Sequence, residues 1–160
     1  MDSKFTPDGS LLVTLFKDSS LYFWNLSTFD PDHKITTTEQ DLNLTCFDIS
    51  WNFTRIISGG WSRHLILWEV NDFFSRGHLH RWVYRLPEGF NSVKKVKFIG
   101  DSQRIAILSE GVFLMVKISD DSLEIEFSIK LPLRAIVDFD IDYYNYYLSL
   151  IHIWRCRRRG

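Results

Sequence analysis

Asp138, Asp140 and Asp142 alternate with Val137, Phe139 and Ile141 near the end of a 160-residue chain. Carboxylates two residues apart on a strand share one face, and paired carboxylates are the equipment of many hydrolases. A strand with one wet face produces the same alternation. FDIS at 47–50 repeats it with Asp48 and Ser50, so a wet strand face is the first reading and a hydrolase using these carboxylates is the alternative. His78 and His80 could set two imidazoles on one strand face, as metal ligands sometimes sit. No cysteine or carboxylate stands at a matching spacing, so a solvated loop is expected there and no metal. Cys46 has no identifiable His and Asn set to make it a nucleophile, so it reads as a small core residue. Gly9 and the Gly59-Gly60 pair are turn glycines and form no phosphate loop. No catalytic residue, no cofactor and no small-molecule substrate is expected.

The elements that carry these residues come from an internal repeat. FTPDGSLLVTLFKDSSLYFWNL, from Phe5 to Leu26, aligns without a gap on ISWNFTRIISGGWSRHLILWEV, from Ile49 to Val70. The offset is 44, the distance from Trp24 to Trp68. A third copy runs from Val96 to Leu108 and on through Val112 to Ile118, with Val116 in the place of Trp. A fourth opens at Phe139, 92 residues after Phe47. Each copy reads as short strands. LEIEFSIKL at 123–131 alternates apolar and polar residues, and PDGS at 7–10 and KDSS at 17–20 are turn chemistry. No stretch keeps a 3.6-residue period. About four strands per unit, with Trp closing the third, is the pattern of propeller blades.

Phe5-Thr6-Pro7-Asp8-Gly9, Lys17-Asp18-Ser19-Ser20 and Leu21-Tyr22-Phe23-Trp24-Asn25 together resemble the WD-repeat β-propeller family. The resemblance implies a brace within each blade, in which Ser or Thr, Asp and Trp join a His through hydrogen bonds. Thr14, Asp18 and Trp24 match three of its positions in the first copy, and Ser58 and Trp68 match two in the second. Ser62 replaces Asp there, and no Gly-His precedes Phe47. The fold expected is all-β: a fragment of a propeller, about three four-stranded antiparallel blades, not a closed ring. The expected divisions are a partial blade at 1–27, blades at 28–72 and 82–118, and a partial blade at 123–147. A narrower resemblance joins FKDSSLYFW, ISGGWSRHLILWEV and ILSEGVFLMVKI to the WD-repeat half of the TBC domain family, to a centriolar-satellite protein with a Rab GTPase-activating-like domain at its other end. It implies a centrosome or cilium-base location. No part of that GTPase-activating domain falls within the chain.

LSLIHIWRCRRRG at 148–160 does not fit the repeat. The offset of 92 sets Arg157, Arg158, Arg159 and Gly160 where Leu65-Ile66-Leu67-Trp68 would stand. Three arginines in a strand buried between blades would each cost several kcal/mol, of order. Leu-Ser-Leu-Ile-His-Ile is also what the terminal sequence of a transposon-based sequencing adapter encodes, so 148–160 is expected to be read-through and not native. The whole chain has 19 basic and 20 acidic side chains; without four arginines of the tail, 15 face 20. An acidic body argues against a nucleic-acid partner held by phosphate contacts. No apolar run is long enough to span a bilayer and no signal peptide opens the chain, which makes the cytoplasm the expected compartment, without membrane insertion.

One segment departs from the repeat. NDFFSRGHLHR, from Asn71 to Arg81, lengthens the link after Trp68. It brings Phe73 and Phe74 beside Arg76 and Arg81, and aromatics with arginine are common interface anchors. These four are the candidate partner contacts; the alternative is that both phenylalanines fold back under a neighbouring blade. The function expected is a non-enzymatic scaffold that binds other proteins.

Overall fold

The computed structural model describes residues 2–37, 43–100, 103–119, 122–130, 140–141 and 148–149. Three four-stranded antiparallel sheets account for most of them, each a meander in chain order. The first holds β1 (Asp2–Phe5), β2 (Leu11–Leu15), β3 (Leu21–Asn25) and β4 (Pro31–Ile35). The second holds β5 (Leu44–Ile49), β6 (Arg55–Gly60), β7 (His64–Glu69) and β8 (His80–Arg85). A single helical turn, α1 (Phe73–Arg76), lies between its last two strands. The third holds β9 (Val93–Ile99), β10 (Arg104–Ser109), β11 (Val112–Ser119) and β12 (Ser122–Lys130). A two-residue pair follows, β13 (Asp140–Ile141) with β14 (Leu148–Ser149). The rest of 148–160, and with it most of the suspect tail, lies outside the described residues.

The sheets group the strands one strand out of step with the expected divisions at 1–27, 28–72, 82–118 and 123–147. The first sheet does not stop at 27: β4 completes it by pairing with β3, Leu21 opposite Ile35 and Tyr22 opposite Lys34. Likewise β8 closes the second sheet, and β12, placed at 123–147 with a fourth blade, pairs along the whole of β11. A repeat unit counted from Trp to Trp therefore begins with the outer strand of the sheet before it. The ladder of backbone hydrogen bonds decides the membership, because an outer strand that left its partner would strand its own donors and acceptors.

The core lies between sheets as much as within them. One cluster joins Val13, Leu15, Leu21 and Phe23 of the first sheet to Phe47, Ile56, Ile66 and Trp68 of the second. Another joins Ile57, Leu65, Leu67 and Tyr84 of the second to Val96, Phe98, Ile105 and Ile107 of the third. Alternation supplies both faces of the middle sheet: Ile56 and Ile66 look to one neighbour, Ile57 and Leu67 to the other. Gly59 permits the close approach on one side. A Cβ there would stand 2.7 Å from Val93 Cγ1, nearer than any side chain tolerates.

Side chains also bind one sheet to the backbone of the next. Ser19 Oγ, in the turn between β2 and β3, accepts the Leu44 N–H of β5 at 2.9 Å. Asp48 Oδ2 of β5 accepts the Phe98 N–H of β9 at 2.7 Å. Successive sheets are thus fixed to each other by directional contacts as well as by apolar burial.

Candidate functional site

Trp24 and Trp68 each close a third strand and turn the indole back over the second. Trp24 Nε1 donates to Thr14 Oγ1 at 2.8 Å, and Trp68 Nε1 to Ser58 Oγ at 3.1 Å. The geometry is the same in both sheets because the register is the same: Trp24 faces Leu12 with Thr14 two residues on, and Trp68 faces Ile56 with Ser58 two residues on. Trp68 is buried and Trp24 half-buried. Asp18 does another job. Its Oδ1 accepts the Ser20 N–H at 3.1 Å and so shapes the turn between β2 and β3. In the third sheet, Val116 faces Ile105, and the residue two further on is Ile107. Both partners of the polar pair have become apolar, and both are fully buried.

Asp138 and Asp142 lie outside the described residues, and Asp140 stands on β13. Its counterpart Asp48 is a buried carboxylate held by the Phe98 N–H and by Lys4, whose Nζ is 3.8 Å from Oδ1. Burial raises the Asp48 pKa, against the lowering effects of the Phe98 hydrogen bond and of Lys4. Lys4, Asp48 and Phe98 belong to β1, β5 and β9, so this group links all three sheets along their first strands. Cys46 is buried beside it on β5, with Sγ 3.4 Å from the Gly59 carbonyl oxygen. Burial pushes its thiol up to about 12, so the thiolate a nucleophile needs is suppressed at neutral pH. His78 and His80 are exposed. Among the described residues no group of three or more His, Cys, Asp or Glu side chains is placed to hold a metal ion.

Phe73 and Phe74, two of the four candidate partner contacts, are packed on one side by the molecule itself. They sit on α1, half-buried against the core between the first two sheets. Phe74 meets Phe23 edge-on at 5.2 Å and His33 at 4.9 Å between ring centroids. Phe73 lies 5.3 Å from His33, and Phe53 lies 5.5 Å from Phe74. Aromatic rings at such separations attract one another beyond their burial, and this pulls the segment inward. Gly77 ends the turn with φ of 70°, its N–H bonded to the Phe73 carbonyl oxygen. Arg76 and Arg81 remain exposed.

Aromatics that do face solvent stand at positions that no repeat-based signal marks. Phe29, Trp51 and Trp61 stand on turns and are 81%, 66% and 75% exposed; Phe5, at the end of β1, is 66% exposed. Their only mark in the sequence was being large and apolar beside turn residues.

No protein-family profile matches the chain. A frog protein, TBC1 domain family member 31 of Xenopus laevis, is 23% identical over 156 residues. That match covers 92% of this chain, and the chain spans only 14% of the relative's length. Solved structures of similar shape include U3-55K, with a TM-score of 0.63 and 17% identity over 79% of this chain and 38% of the other. The RRP9 WD40 repeats give 0.64 and 18%, over 79% and 37%. The β-propeller domain of Cps50 (Swd1) from Myceliophteria thermophila gives 0.62 and 19%, over 81% and 38%. With three meander sheets stacked through shared cores, the fold of this chain is that of successive blades of a WD-repeat β-propeller.

Proposed function

We propose that the chain is part of a non-enzymatic scaffold that recognises other proteins through the rigid turns of its blades. The observation that carries this reading is the set of exposed aromatics on those turns, Phe29, Trp51 and Trp61. Large apolar rings gain much from burial and lose little side-chain freedom when a partner covers them. The blades hold such turns in fixed positions, which lowers the entropic cost of binding. Arg76, at the end of α1, and Arg81, on β8 beyond it, are exposed further candidate contacts, with Phe73 and Phe74 anchoring the segment from beneath.

The likeness to TBC1 domain family member 31 supports a finer proposal: a place at the centrosome or cilium base, in a protein with a Rab-related function. Fold alone carries neither point. The test is proximity labelling with the full-length protein, wild type against Trp51→Ser with Trp61→Ser. The expected result is a partner set enriched in centrosomal proteins and depleted in the double variant, with the melting temperature nearly unchanged. A partner set indifferent to both tryptophans would reject recognition through these turns, and labelling without centrosomal enrichment would reject the finer location.

A further inference from the structure

One position on the first strand of each blade carries a charge, and its sign alternates along the chain. Strand register identifies the position. Lys4 of β1 faces Val13, Asp48 of β5 faces Ile57 and Lys97 of β9 faces Ala106. On the next such strand, β13, Asp140 faces Ser149. In every pair the two residues are nine apart. The adjacent pairs agree, since Ile49 faces Ile56 and Ile141 faces Leu148. The order is therefore Lys, Asp, Lys, Asp. Spacing along the chain hides it, because the steps from one to the next are 44, 49 and 43 residues.

The first three members show what the alternation does. Asp48 is buried, and a buried carboxylate is strongly unfavourable unless it is compensated. Its compensation comes from both neighbouring blades. Lys4 Nζ lies 3.8 Å from Oδ1, and the Phe98 N–H donates to Oδ2 at 2.7 Å. Lys97, half-buried one residue before Phe98, also acts on Asp48 through its charge. Two successive blades with the same sign at this position would set like charges against each other at the seam, which opposes stacking. Lys97 stands to β13 as Lys4 stands to β5: each is the cation of a blade whose successor carries aspartate at the same position.

We propose that this position is an ion relay that fixes which blade stacks on which, and that Asp140 on β13 pairs with Lys97 as Asp48 pairs with Lys4. The surface concerned is the first-strand edge of the third blade, and its partner is the segment of this chain that opens at Phe139. Asp140 is then the anion of a seam between blades, neither half of a hydrolytic pair nor the wet side of a strand. Such pairs discriminate more than they stabilise: a neighbour with lysine at the position is rejected, and one with aspartate is accepted. The inference is independent of the scaffold reading, which concerns the turns.

A double-mutant cycle in the full chain tests the relay, read as the midpoint of thermal unfolding. Asp140→Asn should lower the midpoint by about 2–4 °C. In a Lys97→Met background the same substitution should change it little or raise it, because the neutral partner has already left the carboxylate uncompensated. Asp140→Lys sets two lysines at one seam and should cost more than Asp140→Asn, and Lys97→Met should recover most of the difference. Asp138→Asn and Asp142→Asn, two residues away on either side, should not couple to Lys97. Additive effects of Lys97→Met and Asp140→Asn would overturn the relay, and so would coupling of Lys97 to Asp138 or Asp142 in place of Asp140. A loss in Asp140→Lys that persists undiminished beside Lys97→Met would overturn it too, by showing that the position rejects lysine for its bulk alone.

Discussion

The second and third blades solve one packing problem with opposite chemistry. In the second, a buried indole needs a hydrogen-bond acceptor, and Ser58 supplies it to Trp68 at 3.1 Å. In the third, the indole and the hydroxyl are both gone, and Val116 and Ile107 fill the space. A polar pair is tolerable in a core only when complete, whereas two apolar residues of suitable shape need no partner. Losing both members together leaves a sound core, and losing one does not. In the third blade the polar pair is absent while the packing of Val116 and Ile107 is complete.

Breaking the comparison most severely means removing Trp68. Trp68→Ala should destabilise by roughly 3–5 kcal/mol, read as a lower denaturant midpoint, while Val116→Ala should cost visibly less because it empties a smaller volume. Ile107→Ser restores the hydroxyl without the indole and buries it unpaired. Lost volume and an unsatisfied group together predict a cost of about 2–4 kcal/mol. Ser58→Ala leaves the Trp68 N–H without its acceptor and should cost about 1–3 kcal/mol. Thr14→Ala should cost less than that, since Trp24 is only half-buried and water can take over its N–H. Equal losses for Ser58→Ala and Thr14→Ala would show that burial does not set the value of the brace.

A smaller and pH-dependent effect belongs to Asp48, which joins the blades where no sequence motif announces it. Burial raises its folded pKa above the ordinary 3.8. In the window between that value and the raised one, the folded state keeps a proton the unfolded chain has released, so stability falls as pH climbs through it. Asp48→Asn keeps an acceptor for the Phe98 N–H and cannot titrate; it should flatten that part of the pH–stability curve. Asp48→Ala should flatten it as well but with an added loss at every pH from the orphaned Phe98 donor. A wild-type curve rising with pH across the window would contradict burial as the dominant influence on this carboxylate.

The sequence made the repeat legible because Trp24 and Trp68 fall 44 apart with Thr14 and Ser58 in step. Period and register are local properties, and they carried the blade count and the positions of the brace. What the sequence hid was whatever is decided by a neighbouring strand or blade. β4, with its exposed PDHKI pattern, shows little periodicity of its own and joins the first sheet only through its ladder with β3. Phe73 and Phe74 look like an exposed lure when read alone; Phe23, His33 and Phe53, far away in the chain, turn them inward. Asp48 reads as the wet side of a strand, yet a backbone N–H from β9 and a lysine from β1 meet it in the interior.

That stacking of blades through specific contacts is the centre of the account, and amide hydrogen exchange on the full chain reaches it most directly. The Leu44 N–H is bonded to Ser19 of the preceding blade and the Phe98 N–H to Asp48 of the preceding blade. Both amides should be protected as strongly as the central strands, with Ser19→Ala exposing the first and Asp48→Ala the second, each leaving the other protected. Free exchange at Leu44 and Phe98 while the rest of each sheet stays protected would show three sheets that fold but do not stack, and would contradict the propeller arrangement.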